Sequence, residues 1–279
     1  MIIKSDWHIH SENSYDAKNP LKRIIDNANS QGLKSFGITD HLNYNDDKFI
    51  GDIKNSIKNV SEMAKVQKNM VLGVELTTVS KHIIDYCSLH GTRQGYIEPT
   101  DLTPYGYELA LSKEELVKMG IKYAVCAAHW RLDMPKALQD ISDINGIIKD
   151  WFKQQMWLAN DERTTILGHP WYHGKGVWYQ DFSILPKSMN NEIAHAVKQN
   201  GKCVECNHGV MCAKTTSEKF RYQYAEFLRE LFEMGIRITY GSDAHEDYDD
   251  HREEIERYLS HAGFKEGDFY DLTEKDFWL

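Results

Sequence analysis

Seven short β-type apolar runs, separated by longer stretches, dominate the pattern of this chain. They fall at residues 2–7, 34–39, 71–75, 123–128, 165–168, 202–206 and 237–240. Several of the intervening stretches carry helix punctuation. Asn19-Pro20 sets an N-cap before a proline at the first helical position, and Gly32 ends that segment. Ser112-Lys113-Glu114-Glu115 has capping-box spacing, with Gly120 behind it. Residues 141–159, 189–200, 217–234 and the stretch from 252 to Gly263 read as further helices. Such alternation predicts βαβ units and parallel strands in a sheet or barrel. A closed α/β barrel takes up a chain of 279 residues as one domain, 1–279, and no repeat, low-complexity tract or linker divides it. Two long stretches, 80–111 and 171–186, interrupt the rhythm as loop insertions after strands, where lids and binding loops concentrate.

Composition narrows the partners. Lys and Arg number 33 against 42 Asp and Glu, a net charge of −9. That balance opposes broad electrostatic capture of long nucleic acid. No apolar run reaches the roughly 18 residues of a membrane span, and the first residues carry no signal-peptide core, so a cytoplasmic location is expected. The five cysteines are an odd number and suggest no disulfide framework. Cys203 and Cys206 lie three apart in a predicted strand and face opposite sides, which disfavours a redox or zinc pair.

Chemistry gathers at the predicted strand ends. His8 and His10 follow the first run, Asp40 and His41 the second. Glu75 ends the third, His129 the fourth and His169 the fifth. Glu205 and Asn207 end the sixth, and Asp243 and His245 follow the seventh. In parallel barrels the C-terminal strand ends meet on one rim, so these residues would converge. Six of the 13 histidines sit at such positions. So many buried imidazoles and carboxylates are costly unless something pairs them, and a metal does so. In His8-Ile9-His10 the two imidazoles share a face of an extended segment, and Asp243-Ala244-His245 repeats the arrangement. Nitrogen and carboxylate donors without thiolate suit Zn, Mn or Fe. The donors are too many for one tetrahedral ion, which argues for at least two metals, with Glu75 able to bridge.

The ordered motifs Asp6-Trp7-His8-Ile9-His10-Ser11, Ile38-Thr39-Asp40-His41, Gly73-Val74-Glu75, Ala128-His129, Gly168-His169-Pro170, Val204-Glu205-Cys206-Asn207 and Gly241-Ser242-Asp243-Ala244-His245 resemble the PHP superfamily (polymerase and histidinol phosphatase). Each is short, but the ordered set covers nearly the whole chain. The resemblance implies a single distorted (β/α)₇, TIM-like barrel with a trinuclear centre of two to three divalent ions at the C-terminal rim of the strands. One ion would take His8, His10, Glu75 and Asp243. A second would share Glu75 and take His129 and His169. A third would take His41 and His245, with Asp16 where some members carry a histidine. The implied reaction is hydrolysis of a small phosphate monoester by a hydroxide bridging two metals. Asp243 would orient that hydroxide, and Asp40 would hold a ligand histidine's tautomer. Arg131, Asn207 and His208 are the expected phosphate-side contacts, with Arg93 and Lys175 as further loop contributors and His173 in a loop position of interest.

Three other functions compete. One is a phosphodiesterase or exonuclease on nucleotide substrates, and a second is an amidohydrolase, which also opens with His-x-His but often places a lysine where this chain has His129. The third is an inactive metal-binding scaffold. The segments at His129-Trp130-Arg131 and His169-Pro170-Trp171 differ from those expected of a close histidinol phosphatase, so the substrate stays open, as does the oligomeric state.

Overall fold

The computed structural model describes residues 2–172, 177–246, 248–249 and 252–278. In chain order the strands and helices are β1 (Ser5–Ile9), α1 (Leu21–Ser30), β2 (Ser35–Ile38), β3 (His41–Leu42), α2 (Asp47–Met63), β4 (Met70–Leu72), β5 (Val74–Thr77), β6 (Val79–Ser80), α3 (Lys81–His90), β7 (Tyr107–Glu108), α4 (Lys113–Lys118), β8 (Ala124–Ala127), α5 (Ile144–Asn160), β9 (Ile166–Leu167), α6 (Lys187–Gln199), β10 (Cys203–Asn207), α7 (His208–Met211), α8 (Glu218–Glu233), β11 (Arg237–Gly241) and α9 (Arg252–His261). All seven expected runs contribute strand. The third is broken, with Gly73 separating β4 from β5, and beyond the second run an additional short strand, β3, follows Thr39-Asp40.

The fold is mixed α/β with mostly parallel sheets. One parallel sheet has the order β1-β2-β4, and the other runs β11-β10-β9-β8-β5-β3. The third run therefore places one half in each sheet, and β2 and the following β3 divide between the sheets in the same way. Backbone bonds follow the chain across the breaks: Thr39 N–H donates to the Ile9 carbonyl at 2.9 Å, and Gly73 N–H to that of Ile38 at 2.9 Å. The end of β11 also reaches β1, with Asp243 N–H on the His8 carbonyl at 2.8 Å and His10 N–H on that of Ala244 at 3.2 Å. The first and last strand ends are thus neighbours.

Sequence-encoded caps place the helices. Asp46, Ser80, Ser112, Asp143 and Ser217 each accept a backbone N–H at a helix start, and Ser112 with Glu115 completes the capping box. On α8, Phe220, Tyr224, Phe227, Leu228 and Leu231 form one buried stripe at helical spacing. Each such side chain contributes about 1.5–3 kcal/mol on full burial. Beneath the strand ends, Tyr123 fills space that glycines leave. A Cβ on Gly37 would lie 1.7 Å from the Tyr123 hydroxyl, and one on Gly73 would lie 2.6 Å from its ring. The Tyr123 hydroxyl donates to the Trp7 carbonyl at 2.8 Å.

Two expectations need correction. The stretch 80–111 is not all loop: it contains α3 and an antiparallel pairing of β6 with β7. The stretch 171–186 packs inward, because Trp171, Trp178, Tyr179 and Phe182 are buried, and short 3₁₀ turns occur at Val177–Tyr179 and Phe182–Ile184. His173 and Lys175 lie outside the described residues. Helix α2 went unanticipated altogether. All five cysteines are free, and Cys203 and Cys206 are both buried. Among the described residues no helix is long and apolar enough to cross a membrane.

Candidate metal centre

Glu75 is the hub. It lies on β5, fully buried, and its two carboxylate oxygens meet five imidazoles. Oε1 is 3.0 Å from His169 Nε2 and 3.3 Å from His129 Nε2. Oε2 is 2.9 Å from His41 Nδ1, and 3.3 Å from the Nε2 atoms of both His8 and His10. Asp243 Oδ1 stands 3.2 Å from His10 Nε2 and 3.5 Å from His8 Nε2. Asp16 lies beside His41 Nε2 at 3.4 Å and His245 Nε2 at 3.7 Å. All nine expected metal-ligating side chains are therefore near one another, although they span residues 8 to 245.

These donors fall into three overlapping groups whose ligand atoms lie within 4.8 Å of one another: His8, His10, Glu75 and Asp243; Glu75, His129 and His169; and His10, His41 and His245. Asp16 adds a carboxylate beside the last. The arrangement fits divalent cations on physical grounds. His8 Nε2 and His10 Nε2 face each other at 3.0 Å, and His41 Nε2 and His245 Nε2 at 3.4 Å. At most one nitrogen of each pair can donate, so bare lone pairs point into shared space. The donor set is nitrogen and oxygen only, as zinc, manganese or iron prefer.

The electrostatics follow from this crowding. Burial opposes charge on His8, yet Glu205, Asp243 and Glu75 outweigh it and hold the imidazole well above its ordinary pKa. Burial likewise opposes charge on His41, but Glu75 and Asp16 bring it up to about 10. Glu75 is held well below the carboxylate range, because His41, His8 and His129 overcome its burial. Asp243 is also lowered: His8 and His10 outweigh burial. Burial lowers His129, and burial with His10 nearby lowers His245.

Outer partners orient the rings. His8 Nδ1 donates to Glu205 Oε1 at 2.7 Å, which leaves Nε2 facing the centre. The second Glu205 oxygen accepts the His169 backbone N–H at 2.5 Å. The Thr77 hydroxyl donates to Asn43 Oδ1 at 2.6 Å, so it accepts from His129 Nδ1 at 3.0 Å and directs Nε2 inward. His245 Nδ1 donates to the Asp243 carbonyl at 2.8 Å. Asp243 has φ = +55°, a left-handed backbone that aspartate tolerates better than most residues.

Several of these contributors were not singled out from sequence. Glu205 stood in a motif without a role. Thr77 and Asn43 carried no signal, because a threonine on a strand and an asparagine after one are common. Other expected residues behave differently from their sequence assignments. Asp40 is buried and touches no ligand ring: it accepts from Ser11 N–H at 2.6 Å, Ser11 Oγ at 2.7 Å and Ser56 Oγ at 2.6 Å. It therefore fixes the turn after His10 instead of a histidine tautomer. Arg131 is committed to Asp133, at 2.5 and 2.8 Å, and to Asp143 at 2.7 Å, so its fork orders the loop before α5. His208 turns toward α9, with Nε2 3.5 Å from Glu254. Asn207 caps α7 through Val210 N–H at 2.8 Å and donates to Asp243 Oδ2 at 3.2 Å. Arg93 pairs with Asp46 at 2.6 Å and lies over the Tyr44 ring.

A cleft of about 560 Å³ opens beside His129, walled by Tyr44, Tyr96, Trp130 and Ile141, with Glu98 and Lys136 also lining it. Tyr44 and Trp130 stack at 5.8 Å between ring centroids.

Comparison with known proteins agrees with this picture. Residues 6–209 match the family described as PHP domain, and the chain belongs to that family. No curated protein matches the sequence significantly. The fold is similar to a histidinol phosphate phosphatase from Lactococcus lactis solved with zinc, L-histidinol and phosphate, at TM-score 0.66 and 15% identity over 99% of both chains. It is also similar to the putative histidinol phosphatase of Listeria monocytogenes, at TM-score 0.59 and 14% identity over 87% of this chain and 96% of that one.

Proposed function

We propose that this protein is a metal-dependent phosphoesterase acting on a small phosphate monoester, with the whole chain forming one distorted seven-stranded barrel. The observation that carries the reading is the Glu75 carboxylate shared by five imidazoles, with Asp243 across from it. Membership of the PHP domain family supports it, as does the likeness to a structure solved with zinc, L-histidinol and phosphate. The backbone bonds joining β11 to β1 support closure of the barrel.

His8, His10, Glu75 and Asp243 would hold one ion, His129 and His169 a second with Glu75, and His41, His245 and Asp16 a third. Bound there, such ions lower the pKa of water to near neutrality and offset phosphate charge. The residues of the chain supply the rest. Glu205, Thr77 and the Asp243 carbonyl hold His8, His129 and His245 with Nε2 presented. Asp243, anchored by Asn207, places a carboxylate where an attacking water can be oriented. The cleft beside His129 receives the part of the substrate beyond phosphate, and its aromatic walls favour a planar or apolar body.

The test is metal content by elemental analysis, paired with hydrolysis of an aryl phosphomonoester and the matching diester before and after chelation. Two to three Zn, Mn or Fe per chain with chelator-sensitive monoesterase activity is the expected result. Dominant diesterase activity would replace the monoester assignment. A folded protein that takes up no metal would overturn the reading.

A further inference from the structure

A second donor cluster lies outside the histidine-rich centre. His208 opens α7, and Cys212 follows one helical turn later, its backbone N–H bonded to the His208 carbonyl at 2.8 Å. At four residues apart in a helical turn, both side chains lie on one face. That face meets α9, where Glu254 Oε2 is 3.5 Å from His208 Nε2 and the carboxylate lies beside the Cys212 thiol. One ligand atom from each of His208, Cys212 and Glu254 lies within 4.8 Å of the others. None of the other three donor groups contains a cysteine.

We infer that His208, Cys212 and Glu254 form a separate zinc site, with one imidazole, one thiolate and one carboxylate as ligands. This set suits Zn²⁺: thiolate and imidazole exclude calcium and magnesium, and three protein ligands leave a fourth position for water. Zinc bonds of about 2.0–2.3 Å require ligand atoms roughly 3.3–3.8 Å apart in a tetrahedron; His208 Nε2 and Glu254 Oε2 already meet this at 3.5 Å, and no pair needs to close by more than about 1 Å. The environment prepares for this. Glu254 divides its oxygens, Oε1 lying 3.9 Å from Arg221 while Oε2 faces His208. Arg221 also reaches Thr216 Oγ1 at 3.3 Å and the Ala213 carbonyl at 3.4 Å, which ties down the chain just after Cys212. Binding would release the Cys212 proton to solvent, since the thiolate is the ligand.

The site would have a structural consequence for its neighbour. Asn207 caps α7 and donates to Asp243. An ion on His208, Cys212 and Glu254 would staple that same short helix to α9 and so fix the support beneath Asp243. The inference does not depend on the phosphoesterase reading, because its donors and its test are separate.

The experiment is to strip the full chain with a chelator and reload it with Co²⁺. Thiolate ligation gives a near-ultraviolet charge-transfer band that nitrogen and oxygen ligands do not. The band is expected in the wild type, from one cobalt per chain in addition to those of the histidine-rich centre. Cys212→Ser should abolish it and lower bound cobalt by one, while leaving the visible bands of the histidine-rich centre. His208→Ala and Glu254→Gln should each weaken cobalt binding there by tenfold or more. Cys212 is also the one cysteine of the five that is not buried. Zinc should therefore slow its alkylation, read by mass spectrometry in the wild type without any substitution. Absence of the band at saturating cobalt, its persistence in Cys212→Ser, or alkylation unaffected by zinc would overturn the site.

Discussion

Replacing Glu205 by glutamine probes how the centre is held without touching a direct metal donor. The wild-type carboxylate accepts two N–H groups at once, from His8 Nδ1 at 2.7 Å and from the His169 backbone at 2.5 Å. A glutamine has one oxygen, so only one of these bonds survives. Its NH₂ group must then face a donor inside a fully buried site. The carboxylate fills the space that Gly241 leaves, where a Cβ would come within 1.9 Å of Oε1. Losing a buried hydrogen bond to a charged acceptor costs about 1.5–3 kcal/mol of stability. Separately, loss of a carboxylate behind a metal-ligating histidine lowers metal affinity roughly 10–100-fold, which is about 1.4–2.7 kcal/mol. Urea unfolding of the metal-free protein reads the first effect, and competition with a chelator of known affinity reads the second. Metal affinity within twofold of wild type would refute the claim that Glu205 sets the His8 tautomer and pins the His169 backbone.

Further substitutions separate the roles of other residues. Glu75→Gln should lower bound metal by about two ions per chain and cut hydrolysis by more than the roughly 10–100-fold that an outer partner is worth; elemental analysis and turnover of an aryl phosphate check both. Arg131→Ala should cost about 1–3 kcal/mol of stability with metal content unchanged, since the guanidinium serves Asp133 and Asp143; a tenfold rise in KM at unchanged thermal stability would instead return it to phosphate binding. Burial pushes the Asp150 carboxyl up to about 6, against bonds from Leu132 N–H and Gln154 and assisted by nearby Asp133. The native state thus takes up a proton at higher pH than the unfolded chain, and acidification favours folding. Between pH 7 and pH 5 this group adds about 1.3 kcal/mol, so the stability of metal-free wild type relative to Asp150→Asn should rise by that amount on acidification; a difference that is flat with pH would contradict it.

The strands and the ligand cluster were legible because they obey simple rules. A β-type run followed by His, Asp or Glu marks a strand end, and parallel strands gather those ends. Helix α2 was legible but missed, since it lies between two predicted strands with Asp46 as its N-cap. Its buried face carries Phe49, Ile53 and Val60, but also Ser56, which donates to Asp40. Ile50 and Ile57 flank that face, so the helical apolar period survives the polar residue. Arg131 misled in the opposite direction. Its position two residues after His129 suggested a phosphate clamp, whereas Asp133 and Asp143 claim it, and nothing local in sequence shows that Asp143 comes within reach. Orientation was the hardest thing to read: His208 follows Asn207 at the end of β10 yet turns to α9. Side-chain direction after a strand end depends on the turn that follows.

The breadth of sequence spanned by the donors has a bearing on biosynthesis. His8 is synthesised 237 residues before His245. At about 5–20 residues per second, that gap is roughly ten to fifty seconds of translation. Throughout that interval a nascent chain has histidines but not Asp243 or His245, and Glu75 has no finished cage around it. Any ion caught early sits on an incomplete set and can exchange. Full occupancy is therefore a late event, coupled to arrival of the final strand, and chains cut short before it should fail to retain their metal.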